Sequence, residues 1–204
     1  MVKWVVHAAA LWHKPGAGAA GGEVGGGPVV VAEPALLAND RLRAEFGPDG
    51  SVVSLVDLAS GREASAGYLN RLVLYRDRWS YFDAWGIDFS YRSRPTRTLI
   101  PEAVETFVDG PRAVRRATYR HGRTLIVQDA VLTPGQPYLS FETTVEWHER
   151  WHMLRAEFAP TAWADEVACE IQFGHWHRST RNDTPEVRAQ FEICAHRWID
   201  LSVG

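Results

Sequence analysis

The chain has 204 residues, of which 46% are hydrophobic, so it can build the core of one domain and is not a disordered polypeptide. Its 22 basic and 25 acidic residues give a formal net charge of −3, which argues against nucleic acid as the main partner. No apolar run approaches the roughly 18 residues of a membrane-spanning helix, so we expect no membrane partner.

The first predicted segment is a tail. Residues 16–27 hold seven glycines in twelve positions, and glycine at that density loses too much conformational entropy to fold. In the segment before it, His7 interrupts the apolar run and no cleavage site typical of a signal peptide follows. The sequence therefore predicts a disordered tail over residues 1–27, one folded domain over residues 28–204 and a cytoplasmic location.

Beyond the tail, short alternating runs are typical of β-strands. Residues 41–46 and 51–57 predict a hairpin, because the Gly-Pro-Asp-Gly turn at residues 47–50 separates them. Other strand-like runs cover residues 29–32, 70–77, 103–110, 112–121, 124–132 and 138–147. No helical period extends over three turns. The pattern predicts an all-β fold, an antiparallel β-sandwich.

The last of these strands has the clearest alternation. One face is predicted to carry the side chains of Leu139, Phe141, Thr143, Val145 and Trp147. We expect this face to be turned towards the core.

Two cysteines, Cys169 and Cys194, are too few for a disulfide framework. Free thiols in a reducing compartment are the favoured interpretation, and a single bridge or an incidental metal ligand stays open. Cys194 and His196 alternate as a nucleophile and its base would, but residues 191–198 are interpreted as an ordinary strand.

Two histidine pairs have the spacing of possible metal ligands. His175 and His177 alternate on one strand, with Asp183 a few residues later, while His148 and His152 lie four residues apart at the end of a strand. A catalytic zinc needs three protein ligands in a fixed array, and each pair supplies two. We therefore predict structural or interface roles and no metal site, with contact to substrate left open for His175.

Residues 81–91 combine aromatic rings with two carboxylates, Asp83 and Asp88. Rings such as Trp85 offer platforms for the apolar faces of sugars, and carboxylates accept hydrogen bonds from their hydroxyls. The alternative is a packed aromatic corner between sheets. Sequence spacing cannot place two carboxyls at the separation that a glycosidase needs, so we predict no catalytic residue here.

Three blocks, in the same order, resemble one family. They are residues 38–63, residues 70–88 and, most specifically, "EIQFGHWHRSTRND…AQFEICAHRWIDLS" at residues 170–202. Together they are similar to the C-terminal β-sandwich region of the α-mannosidases of glycoside hydrolase family 38, in the bacterial and cytosolic branch. The sequence departs from the family pattern at Phe82 and Gly86.

The resemblance implies a galactose-mutarotase-like supersandwich and a parent enzyme that hydrolyses α-mannosides with retention. It also implies that the nucleophile, the acid and a zinc ion belong to an N-terminal catalytic part outside these residues. His175 stands at a histidine of the family pattern. We accordingly expect an incomplete sandwich without cofactor or activity of its own, whose partners are the catalytic part and an α-mannoside.

The site residues predicted for contact with substrate are Asp83, Trp85, Asp88 and His175. Two alternatives remain at this stage: a stand-alone carbohydrate-binding module, and a truncated product without function.

Overall fold

The computed structural model describes residues 30–78 and 86–201, together with the backbone of a strand at residues 2–9. The chain divides into two compact units, residues 1–159 and residues 160–204. Each unit is described by itself below.

The first unit contains a five-stranded sheet in the order β1-β12-β11-β10-β9. Its strands are β1 (Val2–Ala9), β9 (Ala103–Asp109), β10 (Arg112–His121), β11 (Thr124–Leu132) and β12 (Tyr138–Glu146). All neighbouring strands are antiparallel. A two-residue turn joins β10 to β11, and Gly122 takes a positive φ of 55° there, a conformation that glycine adopts without steric cost.

Strand β1 differs from the disordered tail expected at residues 1–27. Residues 2–9 pair with β12 along their whole length, from Val2 opposite Val145 to Ala9 opposite Tyr138. The segment is rich in valine and contains a tryptophan, residue types that favour extended backbone. The glycine-rich residues 16–27 lie outside the described part of the chain.

The second sheet of this unit has eight strands, in the order β13-β7-β5-β4-β3-β2, with β6 on β5 and β8 on β7. They are β2 (Val31–Glu33), β3 (Leu36–Ala38), β4 (Leu42–Phe46), β5 (Val52–Asp57), β6 (Arg62–Glu63), β7 (Ser65–Arg76), β8 (Pro95–Thr98) and β13 (His152–Pro160). A one-turn 3-10 helix, Phe89–Ser93, precedes β8. The predicted turn at residues 47–50 joins β4 to β5. It is closed by hydrogen bonds from Gly47 N–H to Ser51 O and from Gly50 N–H to Gly47 O.

The two sheets pack face to face and confirm the predicted antiparallel β-sandwich. One cluster of buried side chains joins Leu37, Leu42 and Leu55 of the second sheet to Leu139 and Phe141 of the first. A second cluster joins strand β7 to strands β10–β12. The predicted core face of β12 is confirmed, since residues 139, 141, 143 and 145 are all at most 3% exposed.

A polar network also crosses the interface between the sheets. The Asn70 side-chain amide donates to Gln128 Oε1 at 2.7 Å, and Gln128 Nε2 donates to Thr143 Oγ1 at 2.9 Å. All three side chains are buried. Because their polar groups satisfy each other, they can stay in the core without an unpaired donor or acceptor.

The second unit contains a three-stranded sheet in the order β15-β14-β16. Its elements are β14 (Glu166–Ile171), β15 (Gly174–Ser179), the short helix α1 (Pro185–Ala189) and β16 (Ile199–Asp200). Among its described residues, only Cys169 and Glu170 are buried. This unit therefore has almost no hydrophobic core of its own.

The interpretation of residues 191–198 as an ordinary strand is wrong. These residues form no strand and run beside Glu170, whose backbone N–H donates to Trp198 O at 3.1 Å and whose O accepts from His196 N at 3.2 Å. Between these two residues, the backbone N–H of Arg197 donates to Oε2 of the Glu170 carboxylate at 2.8 Å. The Glu170 side chain thus accepts a backbone N–H that, in a regular sheet, a carbonyl of the neighbouring strand would accept.

Within the described residues, the structure contains no helix long and apolar enough to cross a membrane.

Candidate functional site

Of the four residues predicted to contact substrate, two can be placed. Asp83 and Trp85 lie outside the described residues. Asp88 belongs to the first unit and His175 to the second.

Asp88 caps the 3-10 helix that follows it. Its Oδ1 accepts from the Ser90 backbone N–H at 3.0 Å, while Oδ2 accepts from the Ser90 hydroxyl at 2.8 Å and from Arg94 at 3.0 Å. The backbone and hydroxyl donors of Ser90, followed by Arg94, lower the pKa of Asp88. The carboxylate is thus ionised and already anchors its own loop, so a role in sugar contact stays a prediction.

A group of aromatic and charged side chains packs against this helix. Tyr91 lies in the aromatic segment predicted at residues 81–91, whereas its partners on β7 and β13 were not predicted. Tyr91 is buried, and its hydroxyl oxygen accepts hydrogen bonds from Arg92 Nε at 3.2 Å and from Arg155. The ring of Tyr75 meets that of Tyr91 edge to face, with centroids 5.3 Å apart. These contacts tie the 3-10 helix to strands β7 and β13.

Glu157 of β13 holds the same group from the other side. It accepts from Arg71 Nη2 at 2.7 Å and from the Tyr75 hydroxyl. Partial burial, and next the hydrogen bond to the Glu157 carboxylate, raise the pKa of Tyr75 to about 12. Tyr75 is therefore a neutral hydrogen-bond donor at physiological pH, with a structural partner.

The second unit contains an open groove of about 540 Å³. Its walls come from the end of β14, the turn at residues 172–173, the start of β15 and residues 196–198. The side chains that carry its chemistry are Glu170, Phe173, His175, His196, Arg197 and Trp198. Of these, only His175 was predicted as a site residue.

An ion pair between Glu170 and Arg197 lines the groove, with the carboxylate buried and the guanidinium exposed. The Glu170 side chain is 9% exposed, and its Oε1 accepts from Arg197 Nε at 2.9 Å and from Nη2 at 2.5 Å. These hydrogen bonds lower the pKa of Glu170 and raise the pKa of Arg197. The sequence analysis did not predict this pair. Glu170 stands within the otherwise apolar run Val167–Ile171, and this position could have indicated it, because a buried carboxylate needs a partner.

His175 lies on the exposed face of β15. Its ring centroid is 5.2 Å from that of His177 and 5.9 Å from that of Trp198. The second contact places His175 beside an indole in the groove. His177 instead lies 3.7 Å from Glu166.

Neither histidine pair is part of a metal site in the described residues. No group of three or more His, Cys, Asp or Glu side chains there could hold a metal ion. His148 Nε2 is 3.1 Å from Glu146, and His152 Nδ1 donates to the Arg150 carbonyl at 2.8 Å. The family resemblance places the implied zinc in a catalytic part outside these residues, so roles without metal for the two histidine pairs stay a prediction.

Cys169 and Cys194 are both free thiols, the first buried and the second exposed. The exposed thiol lies in the irregular residues 191–198 and not on the strand expected there. The structure offers no support for a cysteine nucleophile.

Comparison with known proteins identifies the family to which this chain belongs. The family model of the glycosyl hydrolases family 38 C-terminal domain matches residues 37–204. The chain is 37% identical to α-mannosidase 2C1 of Mus musculus and 36% identical to that of Homo sapiens, over 172 residues in each case. It is 30% identical to α-mannosidase G of Dictyostelium discoideum over 176 residues.

The chain therefore belongs to glycosyl hydrolase family 38, and its match is to the C-terminal domain of that family. The aligned region covers 81% of this chain and 16% of either 2C1 protein, so the chain spans about a sixth of the length of these relatives. The fold is similar to that of the crystal structure of an α-mannosidase from Enterococcus faecalis V583, with a TM-score of 0.59. That similarity covers 76% of this chain and 21% of the solved one, at 14% identity.

Proposed function

We propose that this chain acts as the C-terminal sandwich of an α-mannosidase, whose full polypeptide hydrolyses α-mannosides. The observation that carries the proposal is the match of residues 37–204 to the family's C-terminal domain, together with relatives named α-mannosidase at 36–37% identity. In this proposal the chain supports the catalytic part and does not cleave substrate itself.

The division of labour follows from the chemistry of glycoside cleavage. A retaining enzyme needs one carboxylate as nucleophile and a second carboxyl as acid on opposite sides of the bond. Asp88 is ionised and engaged with Ser90 and Arg94, so it does not have the raised pKa of a general acid. The nucleophile, the acid and the zinc are accordingly assigned to the catalytic part.

The exposed apolar surface of the second unit supports a role against another polypeptide. Trp163, Trp176 and Ile199 are each more than half exposed, and Trp176 and Ile199 both pair with Cys169 from either side of β14. Large exposed apolar side chains are typical of interaction surfaces. Contact with the catalytic part would remove this surface from water and add the buried area that the second unit lacks.

The two free thiols support the proposed cytoplasmic location. A reducing compartment keeps cysteines such as the exposed Cys194 unpaired.

A complementation assay tests the proposal. We expect the isolated chain to leave an aryl α-mannoside unhydrolysed. Activity should appear when the chain is added to mouse α-mannosidase 2C1 from which the matching C-terminal region has been removed. Substitution of Trp163 and Trp176 by Ser in the chain should weaken this rescue, while substitution of the exposed Leu58 of the first unit should not.

The same assay examines the predicted contact residues. If residues 81–91 line the sugar pocket, Asp83→Ala, Trp85→Ala and Asp88→Ala should lower the rescued activity. Turnover by the isolated chain would contradict the proposal. Full activity of the truncated mouse enzyme in the absence of the chain would contradict it as well. The alternative of a stand-alone carbohydrate-binding module would instead give sugar binding without any rescue.

A further inference from the structure

We infer that the groove of the second unit is a binding site for a neutral sugar ring, which stacks on Trp198 and accepts hydrogen bonds from Arg197. The inference rests on the proposed function only for the choice of an α-mannoside as the sugar. The groove itself is defined by the residues that converge on it from β14, β15 and residues 196–198.

Two aromatic side chains border the groove. Trp198 is 43% exposed and lies beside His175, so one side of its indole is supported while the rest faces solvent. Phe173 is fully exposed at the turn and has a φ of 65°. A bulky residue at positive φ is strained, and strain of this kind is found at functional sites. Aromatic rings of this kind match the apolar C–H faces of a pyranose.

Arg197 supplies oriented hydrogen-bond donors. Its Nε and one Nη2 hydrogen are held by Glu170, yet its side chain is 84% exposed. A guanidinium has five N–H groups in a rigid plane. Because Nε and Nη2 face Glu170, the N–H groups of Nη1 point away from it. Such a donor edge is preorganised for oxygen atoms of a ligand, because binding need not first order the side chain.

The charge of the groove favours a neutral ligand. Its ionised side chains are Glu170 and Arg197, which pair with each other. The pair therefore contributes no net charge to the lining. The Glu170 carboxylate compensates the charge of Arg197, so the attraction for an anion such as phosphate is weak. A sugar hydroxyl is uncharged and needs only hydrogen-bond donors and acceptors.

The size of the groove fits a sugar of one or two rings. Ligand sites in proteins commonly enclose about 300–1,000 Å³, and this groove offers about 540 Å³. Because it is open to solvent, we expect weak binding to the chain alone, with a dissociation constant on the order of millimolar.

Nuclear magnetic resonance can read the groove directly in the whole chain. The nine tryptophans should give separate indole N–H signals, and the signal lost in Trp198→Phe assigns Trp198. Titration with methyl α-mannoside should shift this signal. The signal of Trp176, which points to the opposite face of β15 from His175, should stay in place and serves as the internal control.

Three variants test the roles of the groove residues, with binding measured by saturation transfer to methyl α-mannoside because the Trp198 variants lack the indole signal. Trp198→Ala should weaken binding about tenfold or more, while Trp198→Phe should retain part of it because a ring remains. Arg197→Ala should weaken binding by a similar factor. Glu170→Gln keeps the size of the side chain but loosens the guanidinium, so a smaller loss is expected. Circular dichroism and the remaining indole signals verify that each variant is folded.

Each outcome bears on the inference. A mannoside-dependent shift of Trp198 that is lost in Arg197→Ala supports it. Absence of a shift at Trp198 in the folded chain overturns it, and so does a shift caused by inorganic phosphate in place of the mannoside. Because the titration uses the chain without a catalytic part, it can fail while the complementation assay succeeds, and it can succeed while that assay fails.

Discussion

Asn39 holds two loops of the first unit together through four hydrogen bonds. Its side-chain amide donates to the carbonyls of Thr133 and Gln136 at 2.7 and 3.0 Å, and its Oδ1 accepts from the backbone N–H groups of Arg41 and Leu42 at 2.9 and 2.7 Å. The side chain is 5% exposed. It thus connects the loop before β4 to the loop before β12.

We predict that Asn39→Ala lowers the free energy of unfolding by about 3 kcal/mol, because it leaves buried donors and acceptors without partners. Urea denaturation followed by circular dichroism measures this change. Asn39→Asp is the matched comparison: it retains the acceptor towards Leu42 but turns a carboxylate oxygen towards the carbonyls that the amide satisfied, so a loss at least as large is expected at neutral pH. A loss below about 0.5 kcal/mol for Asn39→Ala would show that water replaces the side chain.

Gly50 completes the turn between β4 and β5 in a conformation that other residues avoid. Its φ is 81°, and a Cβ atom at this position would overlap the hydroxyl of Tyr119. Gly61 has a similar φ of 69° but has no atom within 4 Å of the corresponding position. A substitution at Gly61 therefore measures backbone strain alone, while the same substitution at Gly50 measures strain together with steric overlap.

Gly50→Ala should destabilise the chain by about 2 kcal/mol or more, and Gly61→Ala by about 1 kcal/mol, since both incur the strain of positive φ and only the first meets Tyr119. Thermal unfolding of the two variants gives the comparison. Equal losses would mean that Tyr119 moves aside without cost. In that case Tyr119→Phe, which removes the hydroxyl, should change nothing in the Gly50→Ala background.

At the scale of the element, the short 3-10 helix depends on an ionised cap. The pKa of Asp88 is lowered by Ser90 and Arg94 from its ordinary value of 3.8. A carboxylate with a lowered pKa contributes stability above its unfolded pKa, and this contribution disappears as the pH falls through the folded pKa.

We therefore expect Asp88→Asn to destabilise the chain at pH 6 and the difference from the unsubstituted chain to shrink below pH 3.8. Asparagine still caps a helix, so the pH-dependent part reports the charge. Urea midpoints measured from pH 6 to pH 3 provide the test. If the stability difference between the two chains is constant over this range, the charge of Asp88 contributes nothing and the effect comes from the changed hydrogen bonds and packing.

At the scale of the whole molecule, buried surface is distributed unequally between the two units. The first unit contains both clusters of buried side chains, while Cys169 and Glu170 are the buried residues in the described part of the second. Local stability follows the density of buried apolar contacts.

Amide hydrogen exchange should therefore be slowest in β10, β11 and β12 and much faster in β14 and β15. Addition of the catalytic part of a relative should slow exchange in the second unit, because it would cover Trp163 and Trp176, while the first unit changes little. Equal protection of the two units in the isolated chain would show that the second unit is stable without a partner.

The sequence by itself determined the fold class, the family, and the strands β4, β5, β7 and β9–β12 of the sandwich. These features are local: the turn at residues 47–50 and the alternation in β12 depend on neighbouring residues, which set backbone conformation and the face of each side chain. The family similarity depends on the order of three sequence blocks. None of these inferences requires knowledge of which strands pair.

Only the tertiary structure decided the pairing of β1 with β12 and the composition of the groove. Glu170 and Arg197 are 27 positions apart, and their contact depends on residues 196–198 running beside β14, where a carboxylate replaces a strand partner. No local period encodes such a pairing, because the free energy that selects it comes from burying and satisfying groups distant in sequence. For the same reason a sequence motif drew attention to His175, whereas Trp198 and Arg197 line the same groove only because of the way the chain folds.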